Sequence, residues 1–214
     1  MSTESAESPQ SPEADTSAEV TGATRPADLV LPDVGAWRRW LDTHEDASDG
    51  VWLRLAKKGT TSPTSLTYAQ ALDEALCSGW IDGQKRSHDA STFVQRFTPR
   101  RRRSMWSRRN VGLVARLTEE GRMRARGVAE VVAAQADGRW ERAYAGAATM
   151  EVPPDLTAAL DASPAAAQAF ATLDSQNRYA VLHRIVTAPD DTVRERRRAR
   201  LVEMLARGDV PHPR

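Results

Sequence analysis

The stretch Glu74-Ala75-Leu76-Cys77-Ser78-Gly79-Trp80-Ile81-Asp82-Gly83-Gln84-Lys85 decides how this chain is read. A helix should end at Gly79, because a residue without Cβ takes the left-handed conformation at a helix C-terminus without a clash. Upstream, Thr67-Tyr68-Ala69-Gln70 has the capping-box pattern, in which a hydroxyl and an amide side chain each serve an orphan backbone group. Ala71, Leu72, Ala75 and Leu76 then share one helical face. Downstream, Trp80-Ile81 and Gln84-Lys85 flank Asp82-Gly83, a two-residue hairpin signal. The chain is expected to reverse there, with Asp82 accepting turn N–H groups.

Working outward, Pro32-Asp33 opens a helix with Trp37, Trp40, Leu41 and His44 at three- and four-residue spacing. Gly50 introduces Val51-Trp52-Leu53-Arg54-Leu55, a strand with Val51, Leu53 and Leu55 on one face, and Lys57 to Pro63 reads as a loop. Thr92 to Thr98 alternates as another strand, stopped by Pro99. From Ser107 onward only helices are read. One carries Val111, Val114 and Leu117 and ends near Gly121; the next carries Met123, Gly127, Val131 and Ala134 and ends at Gly138. Pro153-Pro154 starts a further set, punctuated by Ser163-Pro164, a Ser175 cap, a Thr192/Glu195 capping box and Gly208. The expected class is α+β: a small antiparallel β-meander packed with helices, followed by a C-terminal helical bundle. The expected division is a disordered acidic tail over 1–28, an α+β domain over 29–140 and a helical region over 141–208.

Composition sets bounds. Across 214 residues the net charge is +1, so the molecule as a whole is no generic polyanion binder. Arginines number 27 against three lysines, Lys57, Lys58 and Lys85, which is also what coding bias in a GC-rich genome produces. Cys77 is the single cysteine, which fits a reducing compartment, and the N-terminus lacks the apolar stretch of a secretory signal. No run approaches the roughly 18 apolar residues of a membrane span. The expected location is cytoplasmic.

Charge is concentrated between Lys85 and Arg109: Lys85, Arg86, Arg96, Arg100 to Arg103, Arg108 and Arg109 stand against one acid, Asp89, interleaved with Phe93, Phe97 and Trp106. Such a segment is either a core strand with a solvated basic rim, or a site for anions, an acidic partner or nucleic acid. The candidate ligand-binding residues are Trp80, Asp82, Lys85, Arg96, Arg100, Trp106, Ser107 and Asn110. Asp82 would serve as a carboxylate beside Lys85 or Arg96, orienting a ligand-binding guanidinium. Ser107 would cap a helix whose N-terminus receives an anion, with Asn110 one turn on. Trp80 and Trp106 serve as core or pocket walls before they serve as stacking platforms. No catalytic residue, cofactor or metal site is assigned: the chain has no glycine-rich phosphate loop, nucleophile elbow or dinucleotide fingerprint, and His44, His88, His183 and His212 are scattered. An enzyme on a small anionic metabolite, with Asp82 or Cys77 in the chemistry, stays as an alternative beside nucleic-acid binding.

Glu74 to Gly83, then Arg96-Phe97-Thr98-Pro99-Arg100, then Ser104-Met105-Trp106-Ser107 and Asn110 resemble the YdeI/OmpD-associated (bacteriocin-protection) family. The likeness runs upstream through Trp40-Leu41, Val51-Trp52-Leu53 and Lys57-Lys58. Downstream it takes in Gly121-Arg122-Met123, Gly127, Gly138-Arg139-Trp140 and the Leu205-Ala206-Arg207-Gly208 ending, so it covers roughly 29–208. The resemblance implies a link to envelope stress and to tolerance of bacteriocins or cationic antimicrobial peptides, with no reaction or cofactor. A basic surface repels cationic peptides, so any such role would be indirect.

Overall fold

The computed structural model describes residues 27–213, so the tail expected over 1–28 lies almost wholly outside the described residues. Asp28 belongs to the folded body, with its carboxylate 3.7 Å from Arg54.

Helix α1 (Val34–His44) starts at Asp33, whose carboxylate accepts the Ala36 N–H at 2.8 Å, and buries Trp37 and Leu41. Strand β1 (Val51–Ala56) follows. Helix α2 (Tyr68–Cys77) has both halves of the Thr67/Gln70 capping box and stops at Gly79, φ 69°. Strands β2 (Trp80–Ser87) and β3 (Thr92–Pro99) form the hairpin.

The hairpin does not turn where Asp82-Gly83 suggested. Strand β2 runs straight through that pair, with a register irregularity between Asp82 and Lys85, and the chain reverses over residues 88–91. Asp89 closes the real turn: one carboxylate accepts the Ser91 and Thr92 N–H groups at 2.8 and 2.6 Å and both hydroxyls at 2.9 Å. Asp-Gly suits a bulge as well as a turn, and the Asp89 cradle is the stronger local constraint.

The sheet is antiparallel with order β1-β3-β2, so the last strand lies in the centre. Paired residues share a face. Val51 with Phe97 and Leu53 with Gln95 lie on the face covered by the first helices; Trp52 with Arg96 and Arg54 with Val94 lie on the other. The covered face meets Trp37, Leu41, Leu72, Leu76 and Trp80 in a core where each is at most 1% exposed. Full burial of side chains this large contributes about 1.5–3 kcal/mol each.

Helices α3 (Arg108–Glu119) and α4 (Ala125–Ala136) complete this body. Helices α5 (Pro154–Asp161), α6 (Pro164–Ala171), α7 (Ser175–Val186) and α8 (Asp191–Ala206) enclose a second core of Leu156, Phe170, Val181, Leu182, Ile185, Leu201 and Leu205. Their caps fall one or two residues earlier than expected: Asp174 and Asp190, rather than Ser175 and Thr192, accept the Asn177 and Val193 N–H groups. A carboxylate is the better partner for a helix N-terminal dipole. Between the two bodies, the Tyr144 ring meets the His183 ring edge-on at 4.6 Å.

Candidate functional site

Tyr68, the first residue of α2, is aimed by the capping box beside the β2 irregularity, and its hydroxyl donates to Asp82 Oδ2 at 2.7 Å. Burial, then that hydrogen bond, pushes the phenol up to about 12, so it stays protonated and donating. Asp82 is therefore a held acceptor rather than a turn residue. Arg109, from the first turn of α3, places its guanidinium 5.4 Å from the Tyr68 ring centre.

Arg100 follows β3, pinned by its N–H to the Gly79 carbonyl at 3.0 Å. Its side chain turns inward, leaving the residue 5% exposed, and the guanidinium lies 3.4 Å from the Trp106 ring centre. Among the described residues only Nη1 finds an acceptor, a long 3.5 Å contact to the Met105 carbonyl, while Nε and Nη2 are buried without a hydrogen-bond partner. Burial pulls the Arg100 pKa down to about 10, opposed by the more distant charge of Glu130, Tyr144 and Asp82. At physiological pH it remains a cation.

Trp106 is 1% exposed, packs against the Trp140 ring at 4.8 Å, and its Nε1 is likewise buried without a partner among the described residues. Two backbone bonds fix the neighbourhood: Tyr144 N–H to the Trp106 carbonyl at 3.0 Å and Arg108 N–H to the Tyr144 carbonyl at 2.8 Å. Burial raises the Tyr144 phenol, Asp82 adds to the rise, and Arg100 opposes it. Asn110 is 6% exposed, and its side-chain amide has no hydrogen-bond partner among the described residues.

The other expected residues go elsewhere. Trp80 is fully buried in the core, its Nε1 donating to the Glu45 carbonyl at 3.2 Å. Lys85 is exposed at the far end of β2, its ammonium 4.5 Å from the Phe93 ring centre. Arg96 lies on the opposite face of the sheet from Phe97 and Asp82, over Trp52 at 5.9 Å, with Arg86 over the same ring at 3.3 Å. Arg96 and Asp82 thus do not form the expected pair. Ser107 is a helix cap, accepting the Asn110 N–H at 3.2 Å. The Arg108 N–H is given to the Tyr144 carbonyl, so two of the first N–H groups of that helix already have acceptors.

What converges is narrower: Arg100 lies on Trp106, with Asp82 within electrostatic reach of Arg100, while Asn110 stands in the first turn of α3. Tyr68, Arg109 and Tyr144 join them, and no spacing rule links positions 68, 82 and 144. Cys77 is 1% exposed, and burial followed by nearby Glu74 pushes its thiol up to about 11, so it is no thiolate at neutral pH. Among the described residues no group of three His, Cys, Asp or Glu side chains is placed to hold a metal ion. No described helix is long and apolar enough to cross a membrane.

The molecule is thus an α+β protein with a donor-rich buried site at the end of its sheet and a helical unit attached. Within that helical unit, residues 149–208 match the family described as Bacteriocin-protection, YdeI or OmpD-Associated. Residues 29–130 match a separate description, Domain of unknown function (DUF8412). Asp82, Arg100, Trp106 and Asn110 fall in that second match, so the family resemblance read over 29–208 attaches by name to the C-terminal part alone. No curated protein and no solved structure matches the chain.

Proposed function

We propose that this chain is a non-enzymatic cytoplasmic protein that binds a small anionic ligand, or an acidic group of a partner, at Arg100. The observation that carries this reading is the pair of buried, unpartnered nitrogens on the Arg100 guanidinium. Burying a cation without hydrogen bonds costs several kcal/mol, and stacking on Trp106 returns only about 2. A carboxylate or phosphate presents two oxygens to a guanidinium fork and so offsets the remainder. Trp106 Nε1 and the Asn110 amide add neutral donors, and the Tyr68–Asp82 pair supplies a fixed acceptor. Arg101, Arg102 and Arg103, exposed and without ion-pair partners among the described residues, would raise the local anion concentration. A part in tolerance of bacteriocins or related stress rests on the family description and would run through this ligand, since a cationic rim repels cationic peptides.

Nucleic-acid binding finds less support. It requires open aromatic faces, whereas Trp37, Trp52, Trp80 and Trp106 are buried and Trp40 is stacked between Trp37 and His44; Trp140 meets Trp106 edge-on.

The test is thermal unfolding with increasing inorganic phosphate and, separately, acetate. A ligand at a hundredfold excess over its Kd stabilises by about 2.7 kcal/mol. The response should be largest in the wild type and smaller in Arg100→Lys, which keeps the charge but loses the fork, and in Trp106→Phe, which keeps a ring but loses the N–H. An identical anion response in all three proteins would sink the proposal.

A further inference from the structure

Helix α8 carries two sets of arginines with opposite fates. Arg194 and Arg198 both reach Asp155 on α5, at 2.7 and 3.2 Å, and are neutralised. Arg197 and Arg200, on the adjoining face, join Arg184 from the last turn of α7 around a cavity of about 540 Å³. None of these three has a carboxylate within ion-pairing distance among the described residues. Arg197 is held in place by donating to the Arg184 carbonyl at 2.9 Å, which fixes one guanidinium at the rim. The remaining lining is Thr187, Leu201 and Met204. Along α8, positions 197, 200, 201 and 204 recur at the spacing of one helical face, so two cations and two apolar side chains look into the same space.

We infer that this cavity binds an amphipathic anion: an aliphatic or aromatic body lying on Leu201 and Met204, with a carboxylate or phosphate head among Arg184, Arg197 and Arg200. The volume is in the range of small-molecule sites. Three like charges gathered without a counter-ion repel one another, and an anionic head removes that repulsion while the apolar floor takes the rest of the ligand. Neither feature alone selects such a ligand: a bare anion leaves the floor wet, and a neutral hydrocarbon leaves the guanidiniums unpaired. The site lies in the part of the chain matched by the bacteriocin-protection family and is independent of the Arg100 site.

The experiment is calorimetric titration of the full chain with decanoate, with octyl phosphate and with inorganic phosphate at low salt, alongside flotation with phosphatidylglycerol vesicles. Decanoate and octyl phosphate should bind saturably at one site, and Arg184→Gln and Arg200→Gln should each weaken them about tenfold, the loss of one charge-assisted contact. Both residues are exposed, so the variants keep the fold. Met204→Gln should weaken decanoate and leave inorganic phosphate unchanged. Equal decanoate binding by the wild type and the Arg184→Gln/Arg200→Gln double variant would overturn the assignment. So would capture by vesicles with no binding of free decanoate, which would make the arginines a membrane-facing patch rather than a ligand site.

Discussion

The Arg100 guanidinium lies 3.4 Å from the centre of the Trp106 ring, and both side chains carry buried nitrogens with no hydrogen-bond partner among the described residues. A cation held this way weakens the fold in the absence of an anion. Replacing Arg100 by Met keeps much of the volume and removes the charge. Buried ionic groups replaced by apolar ones of similar size are often neutral or stabilising by about 1–4 kcal/mol. Arg100→Met should therefore be at least as stable as the wild type in urea without added anion, and should lose the phosphate response. A clear loss of stability would mean that the guanidinium already has its partners.

Glu74 is 2% exposed and accepts from Arg38 and Arg122, each at 2.7 Å. Burial alone would raise its pKa, but the two guanidinium bonds outweigh it and hold the carboxyl below the usual glutamate range. The folded value lies under the unfolded one, so this contribution is complete above the unfolded pKa and is lost as pH falls through the folded one. Glu74→Gln should cost about 2 kcal/mol at neutral pH, the scale of hydrogen bonds to charged groups, and should make acid unfolding less steep below about pH 4.

A Cβ on Gly127 would stand 2.2 Å from the Cys77 carbonyl oxygen and 3.0 Å from that of Leu76. Backbone meets backbone there, so α2 and α4 must separate to admit even a methyl group. Gly127→Ala should destabilise by about 1–3 kcal/mol, the usual cost of overpacking. Val128→Ala, on the exposed neighbour, should stay within about 0.5 kcal/mol in the same denaturant titration.

His183 packs between Tyr144 and Tyr179, and burial, assisted by Arg197, lowers its pKa. The unfolded chain therefore takes up this proton first as pH drops, and folding stability declines below about pH 6.5. His183→Gln should flatten the decline between pH 7 and 5. If the slope is unchanged, the contact between the two bodies does not depend on this ring's charge.

Much of the fold was legible because its signals are local. The Thr67/Gln70 box, the Gly79 stop, the alternation through Phe93, Gln95 and Phe97 and the proline at 154 each act within a few residues, and each stands where expected. The reversal was misplaced because Asp82-Gly83 and the Asp89 cradle compete over the same ten residues, and hydrogen bonding to four donors decides the outcome. The site was legible only in part. Arg100, Trp106, Asp82 and Asn110 sit in a motif-dense segment, but the Tyr68–Asp82 bond joins a helix start to a strand, and Tyr144 arrives through a backbone pairing with Trp106. Arg96 lies apart from Asp82 because neighbouring residues on a strand face opposite ways, which charge counts along the strand ignore.

That alternation on the central strand has a consequence for assembly. Phe97 packs against Trp37 with ring centres 5.7 Å apart, while Arg96, its immediate neighbour, lies over Trp52 on the reverse side. Sliding β3 by a single position during folding would thrust a guanidinium against Trp37 and strand a phenyl ring outside. A misaligned hairpin would thus carry a charge into the core, so the alternation of Phe97 and Arg96 favours one register of the sheet.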